Sequence, residues 1–277
     1  MNERTMSDPS MTEASMIDPA LPEPSLTLDV ASVSDLGERS SNQDAVGRTR
    51  HAGLHLFAVA DGTGGHHGGE VAARIVIDTV IDGFSDAPAF DATALRGWLS
   101  GASAAVAHGQ RTAADQKDMS TTAAVLLVDV ATDAHAARAL WAHLGDTRIY
   151  LFRADRVQAI SKDHSLTQQL VDAGYVPADQ LRVHAQRNIL LAAVGAEGEV
   201  APDISDIHAL HAGDALLVCS DGLWEWVQEA QMEAALAASS NSAAWLAALL
   251  AVAAPAAAAA GKARDNFSAY AIMVVAA

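Results

Sequence analysis

Residues 54–70, LHLFAVADGTGGHHGGE, constrain this chain more than any other stretch. Residues 55–60 are apolar on both faces, the pattern of a strand buried between two layers. The strand runs straight into Asp61-Gly62, after which Gly64-Gly65 and Gly68-Gly69 keep the main chain bare. A carboxylate at a strand end, beside backbone that can approach closely, is a way to present oxygen to a hard cation. From Gly69 onward Val71, Ile75, Val76, Val80 and Ile81 recur at helical spacing. The stretch reads as strand, acidic glycine loop, helix. A tight turn explains Asp-Gly equally well, and Asp82-Gly83, at the far end of that helix, reads as its C-terminal cap.

A layered core around such a strand needs length, and 277 residues supply it. The reading is one domain over residues 26–277 behind an acidic tail over residues 1–25. That tail places Met at 1, 6, 11 and 16, a period that suits neither helix nor strand, and it is expected to be disordered. Thirty-four acidic residues against 17 basic ones give a net charge of −17. Such a balance argues against binding nucleic acid or an anionic membrane and suits a soluble cytoplasmic protein, expected here as a monomer. The single cysteine, Cys219, leaves no internal disulfide framework and no Cys-rich zinc site. No secretory signal is visible at the N-terminus. Residues 243–260 are uncharged and long enough to cross a bilayer. They are mostly alanine, Pro255 interrupts them and no aromatic belt flanks them, so a packed helix is the expectation.

In chain order, strands are expected at about 25–33, 120–130, 139–143, 148–153, 157–160, 215–219 and 268–275. Helices are expected at about 94–114, 166–173, 228–237 and 242–260, with a surface flap over 174–187. Gly145-Asp146-Thr147 reads as a hairpin-like turn. Strands come in runs separated by helix pairs, which favours an α+β fold with antiparallel sheets over a doubly wound one.

Asp44, Asp61, Asp146, Asp221 and Asp265 each sit in a loop beside an apolar strand, far apart in sequence. One such aspartate is an ordinary turn residue. Several at comparable strand ends could converge on one edge, where like charges require a cation. Oxygen donors without a Cys or His pair favour Mg²⁺ or Mn²⁺ over Zn²⁺ or Cu²⁺.

Seven segments, in this order, carry a family resemblance: RSSNQD at 39–44, VADGTGG at 59–65, STT at 120–122, GDTR at 145–148, DHS at 163–165, CSDG at 219–222 and DN at 265–266. The chain resembles the metal-dependent Ser/Thr protein phosphatases of type 2C (the PPM family) in their bacterial form, over about residues 26–277. The resemblance implies a four-layer αββα sandwich, two antiparallel β-sheets flanked by helix pairs, with two Mn²⁺ or Mg²⁺ ions at one end. It implies that Asp61 bridges both ions, that the Gly62 carbonyl binds one, and that Asp221 and Asp265 hold the other. Asp44 would order the surrounding waters and Arg39 would grip the substrate phosphate through paired hydrogen bonds. Asp146, with Asp221, matches a third, weaker metal site; a plain turn carboxylate is the other reading. Asp163 and His164 are expected to be structural, packing the turn before the flap.

The activity so implied is hydrolysis of phosphoserine and phosphothreonine in proteins by hydroxide generated between the two ions. The partners implied are phosphorylated proteins and a bacterial Ser/Thr kinase. No covalent route competes: the residue six positions after Cys219 is Glu225, not Arg, and Val218 breaks the Gly-x-Ser-x-Gly pattern around Ser220. Two residues depart from the family pattern. Thr63 stands where animal members carry a His proposed to protonate the leaving group, and Gln43 stands where many members have Glu. His66 and His67 read as loop histidines without a special role. The alternative is a weakly active pseudophosphatase acting as a phosphoprotein-binding module. Without the resemblance, Arg39 is a surface residue that could pair with Glu38 or Glu70.

Overall fold

The structure is a computed structural model, and it describes residues 26–63, 68–130, 136–196 and 201–277. The acidic tail over 1–25 and the loop residues Gly64, Gly65, His66 and His67 lie outside the described residues. Elements follow in chain order as β1 (Leu26–Asp35), β2 (Asp44–His51), β3 (Leu54–Thr63), α1 (Gly68–Asp86), α2 (Ala92–Thr112), β4 (Ser120–Thr121), β5 (Ala123–Asp129), β6 (Arg138–Leu144), β7 (Arg148–Arg153) and β8 (Arg156–Ile160). After these come α3 (Leu166–Asp172), β9 (Asp203–Ile204), β10 (His208–Ala209), β11 (Ala215–Cys219), α4 (Asp221–Trp224), α5 (Glu229–Ala237), α6 (Ser242–Ala259) and β12 (Phe267–Ala276).

Two antiparallel sheets result. One has the order β1-β12-β11-β7-β8; the other runs β10-β6-β5-β3-β2, with β4 beside β3 and β9 beside β6. Strand β5 shows why they stack. Its Val125 and Leu127 face the helices α1 and α2, while Ala124, Leu126 and Val128 meet Leu216, Val218 and Ile272 of the other sheet. Alternation along a strand buries both faces only if each face has its own cover. Helices α5 and α6 cover the outer face of the first sheet through Trp245, Leu246, Leu249 and Met232. The layering is therefore αββα, as the resemblance implied.

Helix α6 is long and apolar enough to cross a membrane by composition. Trp245, Leu246, Leu249, Ala253 and Ala257 form a buried stripe at helical spacing, and that stripe packs on β1, β12 and α5.

Three local expectations are corrected. Asp82-Gly83 is not a cap, because α1 continues to Asp86. A Cβ on Gly83 would stand 2.5 Å from Trp98 Cδ1, so this glycine lets α1 and α2 approach. Gly145-Asp146-Thr147 is not a hairpin turn, since β6 pairs with β5 while β7 pairs with β11 and β8. The segment instead crosses from one sheet to the other, and Gly145 makes the bend at φ +103°. The strand expected over 120–130 is broken at Thr122 into β4 and β5.

Candidate metal centre

The crossing of sheets puts the five aspartates at one end of the sandwich. Asp44 opens β2 and Asp61 lies near the end of β3, directly opposite in register. Asp221 follows β11, Asp265 precedes the neighbouring β12, and Asp146 sits in the crossover between the sheets. One hydroxyl joins the two sheets here: Ser220 Oγ donates to Asp44 Oδ2 at 2.8 Å and accepts from the Ser268 amide at 2.9 Å.

The segments that carried the resemblance hold this end in shape. The Asp61 amide donates to Thr122 Oγ1 at 2.9 Å, and the Asp61 carbonyl accepts from Thr121 Oγ1 at 2.9 Å and from the Thr122 amide at 2.8 Å. Asn266 stitches the loop before β2, accepting from the Gln43 amide at 2.8 Å and donating to the Leu36 and Ser41 carbonyls at 2.8 and 2.9 Å. Gly62 and Gly69 touch main chain to main chain, so a Cβ on Gly62 would fall 2.1 Å from the Gly69 carbonyl oxygen. Sequence reasoning gave Ser220 and Asn266 no role beyond membership of a motif; the structure makes each a support of an aspartate-bearing loop.

Electrostatically the cluster is under-compensated. Burial raises the Asp44 carboxyl to about 7, with Asp221 and Asp265 adding to the rise and hydrogen bonds from Ser220 and Ser268 opposing it. Asp61 is pushed well above the ordinary carboxylate range by burial and then by Asp44, Asp221, Asp146 and Asp265. Asp146 rises through burial and Asp221. Asp221 goes to about 6 through burial and Asp265, against the pull of Arg187 and a hydrogen bond with the Asp61 side chain. Carboxyl groups this close need a proton or a cation between them. Asp44 Oδ1 is buried and has no hydrogen-bond partner. All-oxygen donors, shared negative charge and an orphaned carboxylate oxygen fit a hard divalent cation.

Arg39 lies at the rim, its side chain 57% exposed, and pairs at 2.6 Å with Asp265 rather than with Glu38 or Glu70. Thr63 Oγ1 shares a hydrogen bond with Ser120 Oγ at 2.8 Å, which pins the end of β3 to β4. Asp163 forms two 2.7 Å bonds to the buried Arg148 guanidinium, and His164 Nδ1 accepts from the Gly145 amide at 3.2 Å. Both hold the crossover, the structural role expected of them. A second donor group, His143, His164 and Asp203, has ligand atoms within 4.8 Å of one another. Because His164 Nδ1 accepts a hydrogen bond, its proton sits on Nε2, 3.1 Å from Asp203 Oδ2. With His164 Nδ1 engaged by the Gly145 amide and His143 Nε2 by the Lys162 carbonyl, the aspartate cluster is the better cation site.

The family profile described as Protein phosphatase 2C matches residues 33–263. The protein phosphatase PhpP of Streptococcus pneumoniae is 29% identical over 220 residues, 74% of this chain and 82% of that protein. The serine/threonine protein phosphatase PstP of Mycobacterium tuberculosis is 34% identical over 206 residues, 74% of this chain and 38% of that protein. Among solved structures, the catalytic domain of a PstP in complex with two manganese ions superposes with a TM-score of 0.74 at 30% identity, covering 90% of this chain and 99% of that one.

Proposed function

The chain belongs to the protein phosphatase 2C family, and on that premise we propose which of its residues carry the reaction. It is a metal-dependent phosphatase of phosphoserine and phosphothreonine in proteins. In our reading Asp61, the Gly62 carbonyl, Asp221 and Asp265 hold two Mn²⁺ or Mg²⁺ ions, with Asp146 available to a third. Such ions, when bound, lower the pKa of water and neutralise phosphoryl oxygens.

The chain's own groups do the rest. Asp44, fixed through Oδ2 by Ser220, keeps Oδ1 free to order water at the centre. Arg39, exposed and tied by its side chain to Asp265 alone among the described residues, can exchange that partner for a substrate phosphate once cations neutralise the aspartates. Its planar fork suits phosphate. Covalent catalysis finds no candidate in Cys219, whose thiol is buried and pushed up to about 12 by that burial. A Ser/Thr kinase acting on the same proteins is the counterpart this activity calls for.

One observation carries the proposal: carboxyl groups from five separate segments converge at one end, and burial with mutual repulsion raises the pKa of four of them, Asp44, Asp61, Asp146 and Asp221. Asp61→Asn removes the charge both ions would share and should lower kcat at least about 10²-fold, the scale of losing a central electrostatic group. Wild-type kcat in a folded Asp61→Asn variant would reject the assignment. A pseudophosphatase would instead bind phosphopeptide and release no phosphate.

A further inference from the structure

A cavity of about 620 Å³ opens at the sandwich edge, away from the aspartates, and Arg48, Arg50, His55, Phe57, Leu28 and Val30 line it. Strands β1 and β2 are the outermost strands of their sheets, and the cavity lies where these two edges face each other. In register, Arg48 stands opposite Phe57 and Arg50 opposite His55. The His55 and Phe57 rings stack at 6.3 Å with planes 6° apart, giving a flat floor.

The charge at this place is unlike the rest of the molecule. The chain carries twice as many acids as bases, and many of its arginines sit in ion pairs with carboxylates, as at Arg138, Arg148, Arg153 and Arg156. Arg48 and Arg50 are exposed, and neither guanidinium has a carboxylate or hydrogen-bond partner among the described residues. Among the described residues no carboxylate lines the cavity. Burial and the two guanidiniums hold the His55 imidazole below its ordinary value, so at neutral pH it offers a hydrogen bond without charge.

The same two strands lead to the metal centre. Arg48 and Arg50 lie four and six residues along β2 from Asp44, roughly 13–20 Å at the rise of a strand. Strand β1 ends at Asp35, and the loop from there to Asp44 carries Arg39. An extended peptide with its phosphate at Arg39 would reach the cavity with residues about four to six positions away.

We propose that the Arg48–Arg50 cavity is a docking site for an acidic segment, rich in Asp and Glu, lying about four to six residues from the phosphorylated residue of the substrate protein. This rests on the phosphatase reading above and gives it a substrate class. Carboxylates would engage the two guanidiniums by charge-assisted hydrogen bonds, while apolar stems cover Leu28, Val30 and Phe57.

The test uses the full Mn²⁺-loaded chain and two phosphothreonine peptides, one with an Asp-Asp-Glu triplet five residues from the phosphothreonine and one with Ser-Gly-Ser there. Wild type should favour the acidic peptide in kcat/KM by roughly 10-fold, the scale of one charge-assisted contact, and salt should erode the preference. Arg48→Glu/Arg50→Glu should abolish the preference while hydrolysis of a small aryl phosphate stays at wild-type rate. If the double charge reversal disturbs folding, Arg48→Gln/Arg50→Gln should still remove it. Fluorescence anisotropy of the unphosphorylated acidic peptide reads the same site without catalysis, so a failure of the phosphatase reading is seen separately, as no aryl phosphate turnover. Equal wild-type binding and hydrolysis of the two peptides would overturn the proposal, as would a preference that survives both arginine changes. It would also be overturned if a synthetic peptide of residues 1–25 bound this cavity and the acidic substrate peptide did not, making the chain's own acidic segment the occupant.

Discussion

Asp44 has one oxygen held by Ser220 and one buried without a partner, and that asymmetry has a thermodynamic consequence. Carboxyls raised to about 7 at Asp44 and about 6 at Asp221 keep their protons in the folded, metal-free chain over a range where the unfolded chain has lost them. Metal-free stability should therefore fall as pH rises from about 4 through about 7. Cations displace those protons, so the rise in Tm on adding Mn²⁺ should be larger at about pH 7.5 than at about pH 5. Equal shifts at the two values would mean that Asp221 is not a ligand and that Asp44 does not lie beside the ions. Arg39 gives a second expectation: Arg39→Ala should raise KM for a phosphopeptide more than it lowers kcat. Because the change also frees Asp265 from its 2.6 Å partner, Mn²⁺ affinity by calorimetry should hold or rise slightly. An unchanged KM would remove Arg39 from phosphate binding. Asp61, Asp146, Asp221 and Asp265 were legible in sequence because each lies beside an apolar strand, whereas Asp44, at the start of the edge strand β2, was legible only through its motif. Ser220 as the partner of Asp44 was not, since a bond between residues 176 positions apart leaves no local pattern.

At the scale of elements, strands whose two faces are both apolar, such as β5 and β11, could be read from sequence alone. Strand β2 could not: DAVGRTRH has few apolar residues because it is an edge strand, with Arg48 and Arg50 exposed. Nor could the sequence separate a hairpin at Gly145 from a crossover, because alternation names the buried face of a strand but not its neighbour. Two glycines in helices test how tightly elements are set. A Cβ on Gly222, in α4, would lie 1.9 Å from the Asn266 carbonyl oxygen, whereas one on Gly97, in α2, would meet nothing within 4 Å. Gly222→Ala should cost at least ~1–3 kcal/mol by overpacking and, by shifting Asp221, weaken Mn²⁺ binding. Gly97→Ala should stabilise by about 1 kcal/mol through helix propensity. Thermal melts of the two variants check this, and a destabilised Gly97→Ala would contradict the packing described.

Over the whole molecule, the αββα layering places both sheet ends under one set of loops. A chain with net charge −17 thereby gathers five of its carboxylates at one end. Runs of strands separated by helix pairs made antiparallel α+β layers legible, and the order of seven short segments made the four-layer sandwich and the site legible. The sheet order and the cationic cavity at the edge emerge only when the strands are paired. The central claim is that this acidic end works only with divalent cations in it. The direct measurement is phosphate release from a phosphothreonine peptide by the full chain, stripped with chelator and then titrated with Mn²⁺. The expected result is near-background release in chelator and recovery as Mn²⁺ is added. Full release in excess chelator would contradict the account.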